Sequence, residues 1–325
     1  MYRYLLNISY IGTNFRGIQK IINKSAGGCG DNQTIQGCVE LAMQKLHPTN
    51  EIDTKLSSRT DSGVHALHST LHVDLESRNS EPFDPLKITG ILNKQFNKKD
   101  LPIRVLSTQK VPNTFHCRYN ALGRSYLYRF AVAKHRMDDI GKLKNANFNS
   151  FIPVEELSRC YFLQNCNFDI ERLRAGSRML LGVHNFRTFA SISRQHSPSR
   201  DNPRFTLRKI DEINVKSGKT TAIDSNADLA ESLYDYWEIE FKARSFLYKQ
   251  VRRMVGALFA LATGRIDERC IYEMLTIPSK NSWDPRVLLA PPFGLYLCRV
   301  HYNENDFVAV PQQVEENEFS ATAAK

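Results

Sequence analysis

No stretch of this chain approaches the roughly 18 uninterrupted apolar residues that a membrane span needs. The longest apolar region, Val255 to Ala262, is about half that length and reads as one side of a buried helix. Nor is there a Cys-x-x-Cys among the seven cysteines, which are odd in number and scattered from Cys29 to Cys298. That excludes a dense disulfide framework and points to reduced thiols in an intracellular compartment. A secretory signal is missing too, because the first strand pattern begins at about Arg3. Acids are absent from residues 1–30, whose cations are Arg3, Arg16, Lys20 and Lys24. This composition is compatible with a mitochondrial address, yet the same residues are needed for the first strand and its loop. The compartment stays open at this point.

What is present describes a soluble globular protein. The chain has 325 residues, enough for two domains with proper cores, with 42% hydrophobic and 24% charged residues. The formal net charge is +10, and residues 311–325 carry three glutamates against one lysine, so the rest of the chain stands at +12. Such a surplus favours a polyanionic partner.

Local patterns divide the chain into two similar halves. Tyr4, Leu6, Ile8 and Tyr10 alternate with polar residues, as in a half-buried strand. Thr34 can cap a helix with the face Ile35, Val39, Ala42 and Leu46. Strands follow at Ile52–Leu56 and around Leu71–Leu75, a helix opens at Asp84-Pro85, and Ile103–Val111 closes the unit. The order β-α-β-β-α-β is that of a ferredoxin-like split βαβ unit. In the second half, strands are expected at 124–132, 186–190, 205–215, 235–243 and 294–302, and helices at 153–163, 169–181, 246–263 and after Asp267. Residues 134–150 and 216–232 read as polar loops. The fold class expected is α+β: two ferredoxin-like halves, 1–115 and 116–306, with antiparallel or mixed sheets meeting at a central basic cleft. Residues 307–325 form an acidic tail expected to be disordered.

Three segments carry candidate chemistry. In Ser57-Ser58-Arg59-Thr60-Asp61-Ser62-Gly63-Val64-His65, an extended reading puts Arg59 and Asp61 on one face, where the guanidinium would keep the carboxylate ionised and oriented. Gly63 permits a turn beside it. An ordinary surface ion pair at a strand end would look the same. In the 246–263 helix, Leu247, Val251, Met254, Val255 and Leu258 form the apolar stripe. Arg252 lies nearest its edge, while Lys249 and Arg253 are expected to face solvent, and the alternative is a solvated basic face. In Gly123-Arg124-Ser125-Tyr126-Leu127-Tyr128, Arg124, Tyr126 and Tyr128 share one face, a pattern that also suits a plain core row.

These segments resemble the TruA family of pseudouridine synthases. Arg59-Thr60-Asp61-Ser62-Gly63-Val64-His65-Ala66 is similar to its signature, Arg244 to Gly256 to its second block, and Arg124-Ser125-Tyr126-Leu127-Tyr128 to its Arg-x-Tyr-x-Tyr strand. Ala290-Pro291-Pro292-Phe293-Gly294-Leu295-Tyr296-Leu297 resembles the closing strand, and Phe115-His116-Cys117-Arg118 a further block. The resemblance implies a catalytic Asp61, with Arg252 reaching it from the helix, Tyr126 packing on the target uracil, Leu295 lining its pocket and Arg59 beside them. It implies an isomerase that breaks the N-glycosidic bond of a uridine, turns the base and rejoins it through C5. No redox change occurs, so no cofactor is expected. The partner implied is RNA: tRNA, and in the animal pseudouridine-synthase-like group also messages, with mitochondria as the location. Bacterial members imply a homodimer.

Departures are few. Ser58 and Ser62 stand where the family has Gly and Ala, Gly17-Ile18-Gln19 replaces Gly-Trp-Gln ahead of a longer loop to Thr34, and His184-Asn185-Phe186 replaces His-Asp-Phe. Two rival classes are a catalytically silent RNA-binding protein of the same fold and a metal-dependent RNA hydrolase. The second would use His65, His68 and His72, but these lie on a turn and strand where helical ligand spacing means little.

Overall fold

In a computed structural model the described residues are 1–20, 31–134, 152–164, 167–191 and 205–308. The strands are β1 (Tyr2–Tyr10), β2 (Lys55–Leu56), β3 (His65–Leu75), β4 (Ile103–Val111), β5 (Gly123–Ala133), β6 (Tyr161–Leu163), β7 (Gly182–Asn185), β8 (Leu207–Ser217), β9 (Tyr234–Ala243) and β10 (Leu295–His301). The helices are α1 (Ile35–Met43), α2 (Pro85–Lys98), α3 (Ile170–Met179), α4 (Asp224–Leu233), α5 (Gln250–Ala262) and α6 (Glu268–Thr276). Local chemistry sets several ends. The Thr34 hydroxyl accepts from Gly37 N–H at the start of α1. The Asp84 carboxylate accepts from Leu86 N–H at the start of α2, with Pro85 in the first turn.

The strands form one mixed sheet in the order β4-β1-β3-β10-β5-β9-β8-β7, with β2 against β3 and β6 against β5. The chain is therefore α+β, and the strands of its two halves, expected as separate sheets, are joined in one. β10 ends the chain's second half yet lies between β3 and β5, parallel to β3 through Tyr296↔His65 and Leu297↔Ala66, and antiparallel to β5. With both its edges paired, β10 carries the backbone hydrogen bonding from one half to the other. Tyr4, Leu6, Ile8 and Tyr10 of β1 and Tyr126, Tyr128 and Phe130 of β5 join Val39, Leu92, Leu173 and Leu258 from the helices in a single core.

Other departures from local pattern have packing causes. β2 begins only at Lys55, because the hydroxyl and N–H of Thr54 are taken by the Glu40 carboxylate. Residues 153–163 are not a helix. A 3-10 turn spans Val154–Glu156, and β6 then pairs with Phe130, Ala131 and Val132 of β5. At 186–190 the expected strand is a turn closed by Phe189 N–H on the Phe186 carbonyl. Phe186 and Phe189 both bury there, which a spacing of three in a turn allows and strand alternation does not. The expected loop at 216–232 contains α4, whose single buried residue, Ala230, packs with Tyr234 and Tyr236 while Ile223 and Leu229 stay exposed. A helix with so narrow an apolar contact carries no readable period. Most of the 134–150 loop, part of the loop before Thr34 and the tail from residue 309 lie outside the described residues. Among the described residues no helix is long and apolar enough to cross a membrane.

Candidate active site

Asp61 sits in the turn that leads into β3, where its carbonyl accepts from Val64 N–H at 3.2 Å. Gly63 takes φ +79°, and a side chain there would meet the Pro292 ring at 2.9 Å, so backbone freedom and space both demand glycine. The neighbouring Thr60 is fixed from two sides. Its hydroxyl bonds Tyr10 Oη at 2.7 Å and its carbonyl accepts from Ile18 N–H. The acid is thereby held by core strand β1 as well as by its own turn.

Arg252, in the first turn of α5, donates through Nη1 to Asp61 Oδ2 at 3.0 Å and through Nε to the Ala290 carbonyl at 2.8 Å. The two charged side chains are 10% and 17% exposed, so the pair is shielded but open at one end. α5 approaches the 288–290 segment so closely that a Cβ on Gly256 would lie 2.1 Å from the Leu288 carbonyl oxygen. That contact, with Ala290 N–H on the Arg252 carbonyl, fixes the reach of the guanidinium.

Tyr126 and Leu295 lie on adjacent strands of the same region. Leu295 is buried and faces Tyr128 in the register, while Leu297 faces Tyr126. The Tyr126 ring meets Phe246 edge-on at 5.2 Å. Burial raises its hydroxyl pKa, with the Arg124 cation working against that and the Asp61 charge adding to it. From α5, Arg252 holds the Asp61 carboxylate, and Arg59, two residues before the acid, is exposed.

Arg253 departs from the expectation of a solvated face. Its Nη1 donates to the Thr188 carbonyl at 2.6 Å and its guanidinium lies 4.4 Å from the Trp283 ring centre, which fastens the 186–190 turn to α5. Lys249, at φ 61° just before the helix, is half-buried over the Tyr248 ring.

Arg124 was given no role by the sequence, although it opens the Tyr126 row. It is buried, and it donates to Ser58 Oγ (3.2 Å) and to the carbonyls of Ser57 (2.9 Å), Arg118 (3.2 Å) and Arg244 (2.8 Å). One guanidinium thus ties the approach to Asp61, the start of the second half and the segment entering α5. Arg118 and Arg244 themselves are exposed. Only the Arg-x-Tyr-x-Tyr spacing could have hinted at this.

The three histidines of the metal reading do not converge. His65 is fully buried in backbone contacts, His68 is exposed, and His72 instead meets His116 and Cys117, with candidate ligand atoms within 4.8 Å. That cluster is already hydrogen-bonded. His72 Nδ1 accepts from Cys117 N–H, His116 Nδ1 accepts from Arg118 N–H, and the thiol donates to the Lys55 carbonyl. Ring lone pairs committed to backbone N–H groups are not offered to a cation. Burial first, then Arg3 and His116, push the His72 pKa from 6.5 down to about 4. A histidine depressed in the folded state supports folding fully above its unfolded pKa and loses that support as pH falls toward the folded one. Between pH 7 and pH 4.5 the loss from His72 is on the order of 2–3 kcal/mol. Urea unfolding at the two pH values checks it, and His72→Gln should flatten the curve by that amount.

A family model described as tRNA pseudouridine synthase matches residues 7–120 and 177–303. The matched residues include Asp61, Arg252 and Leu295 but not Tyr126 or Arg124. The chain is similar to tRNA pseudouridine synthase-like 1 of Xenopus laevis, at 36% identity over 93% of this chain and 91% of that protein. It is similar to tRNA pseudouridine synthase-like 1 of Homo sapiens, at 32% over 92% and 90%. Likeness extends to tRNA pseudouridine synthase A of Dinoroseobacter shibae, at 29% over 94% and 99%. With matches across both halves of the sheet that take in Asp61 and Arg252, the chain belongs to the tRNA pseudouridine synthase family.

Proposed function

We propose that this protein isomerises uridine to pseudouridine in tRNA, with Asp61 as the reacting carboxylate. The observation that carries the reading is the Asp61–Arg252 pair, drawn together across 191 positions of sequence. The reaction opens the C1′–N1 bond, turns the base within the site and closes C1′–C5, after which C5 gives up its hydrogen as a proton and N1 takes one up, so that composition is unchanged. An ionised carboxylate starts it, by attacking the sugar at C1′, by attacking the base, or by taking the C2′ proton. Arg252 keeps that carboxylate charged and aimed. Tyr126 offers a face for the detached base and Leu295 an apolar wall. The exposed Arg59, Arg118 and Arg244 suit a phosphate backbone, as does the +12 body charge.

The finer architecture belongs to the same proposal. The orders β4-β1-β3-β2 and β10-β5-β9-β8 support two ferredoxin-like units, 1–115 and 116–306, fused edge to edge along β3 and β10 with a basic cleft over the seam. A homodimer, action on mitochondrial messages and a mitochondrial location rest on resemblance to bacterial and animal members. Any address within residues 1–20 would have to stay attached, since β1 is paired on both edges. The test is incubation of the purified protein with unmodified tRNA and chemical detection of pseudouridine. Conversion is the expected result, and tRNA bound without conversion would favour the silent binder.

A further inference from the structure

His65 takes no part in the reading above, yet three segments around Asp61 meet on its ring. It opens β3 four residues after the acid and is fully buried. Its Nδ1 accepts the backbone N–H of Gly12, in the loop after β1, at 2.9 Å. A donor facing Nδ1 assigns the lone pair to that nitrogen and the ring hydrogen to Nε2. Nε2 in turn lies 3.0 Å from the Ser158 carbonyl and 3.0 Å from the Phe293 carbonyl, and donates to both as a three-centre bond. Ser158 belongs to the segment between β5 and β6, and Phe293 stands two residues before Leu295. Tyr296 packs on the ring at 4.6 Å, and its own hydroxyl donates to the Arg159 carbonyl.

We propose that His65, as the neutral Nε2–H tautomer, is a positioning residue that sets the Asp61 turn at a fixed distance from Leu295. This rests on the reading of Asp61 as the reacting group and of Leu295 as pocket wall. The seam it crosses is thin, since β3 and β10 share only two register pairs there, so side-chain contacts carry the alignment. Protonation would put a second hydrogen on Nδ1 against the Gly12 N–H. Burial, and then the Arg159 cation, oppose that, while the two carbonyls favour the proton; the balance lies below the usual histidine value.

Two variants separate the bonds. His65→Gln can place an amide N–H near the Nε2 position and keep the link to Ser158 and Phe293, whereas His65→Asn keeps only an acceptor near Gly12. Misplacement of a reacting group by about 1 Å costs up to about 100-fold. The single-turnover rate of His65→Asn on tRNA should therefore fall roughly 10- to 100-fold, with tRNA affinity within about twofold of wild type. His65→Gln should recover most of the rate. Equal rates for Asn, Gln and wild type would overturn the proposal, as would a loss seen in affinity and not in rate. Nitrogen-15 NMR of the intact protein gives an answer independent of whether the variants fold. An unprotonated Nδ1 with Nε2–H at pH 7 is expected, and an Nδ1–H or doubly protonated ring would overturn it. Asp61→Asn in the same assay keeps the two ideas apart. Activity in that variant sinks the reading of the site, whereas an inactive Asp61→Asn beside a fully active His65→Asn sinks the positioning role alone.

Discussion

Asp61→Asn is expected to bind tRNA at least as tightly as wild type and to form no pseudouridine. Asparagine keeps the shape of the side chain and a carbonyl oxygen for the Arg252 Nη1–H, now 3.0 Å from Asp61 Oδ2. It can neither attack a sugar carbon nor take a proton at neutral pH, so the rate should drop by at least about 10³-fold. Loss of the negative charge also removes repulsion toward phosphate. Arg252 retains its bond to the Ala290 carbonyl, so the stability cost should be that of one hydrogen bond to a charged group, about 1–3 kcal/mol. The measurement is pseudouridine yield beside a binding titration and a denaturation curve. In the same series Tyr126→Phe keeps the ring and should lose less activity than Tyr126→Ala. Wild-type yield from Asp61→Asn would end the proposed mechanism.

The largest effect on stability is expected far from the chemistry, at Glu156. This side chain is fully buried and accepts from Arg129 through two bonds, Nη1 to Oε2 and Nη2 to Oε1, both 3.0 Å. Thr221 N–H donates to the same carboxylate at 2.6 Å. Glu156→Leu leaves the buried Arg129 guanidinium only the Lys219 carbonyl and the Glu238 carboxylate at 3.9 Å, and takes the acceptor from Thr221 N–H and the Thr220 hydroxyl, which should cost about 3–5 kcal/mol. Replacing both charges, as in Arg129→Met with Glu156→Leu, removes the under-compensated cation and should return most of that loss, less the share of Thr220 and Thr221. Chemical denaturation of the two single variants and the double variant gives the coupling directly. A Glu156→Leu protein within 1 kcal/mol of wild type would show that water reaches this pair. Glu156 sits two residues before Ser158, whose carbonyl meets His65, so the single variant should also slow turnover at temperatures where it remains folded.

Much of the fold is written in local periods. The alternation of Tyr4 to Tyr10, the cap at Thr34, the Asp84-Pro85 start and the stripe through Val251 and Leu258 each concern residues within two turns of one another. Each produced an element close to where the pattern put it. The residue types of the Asp61 turn, of the strand carrying Tyr126 and of the helix carrying Arg252 were legible in the same way, and the resemblance joined them.

Misreadings arose where a segment's partner lies far away in the chain. Residues 153–163 looked helical by spacing, but strand pairing with β5 and the Arg129 guanidinium drew them flat. α4 shows no period because it buries a single alanine. What the sequence determined by itself was therefore the elements and their chemistry, since side-chain spacing along one helix or strand is a local property. The tertiary structure alone decided that β10 slots between β3 and β5 to make one sheet, that Arg253 clamps the 186–190 turn instead of facing solvent, and that Arg124 and His65 bind the surrounding loops. Those contacts join groups many tens of residues apart, and they exist only once non-local burial has offset the entropy of closing such long loops.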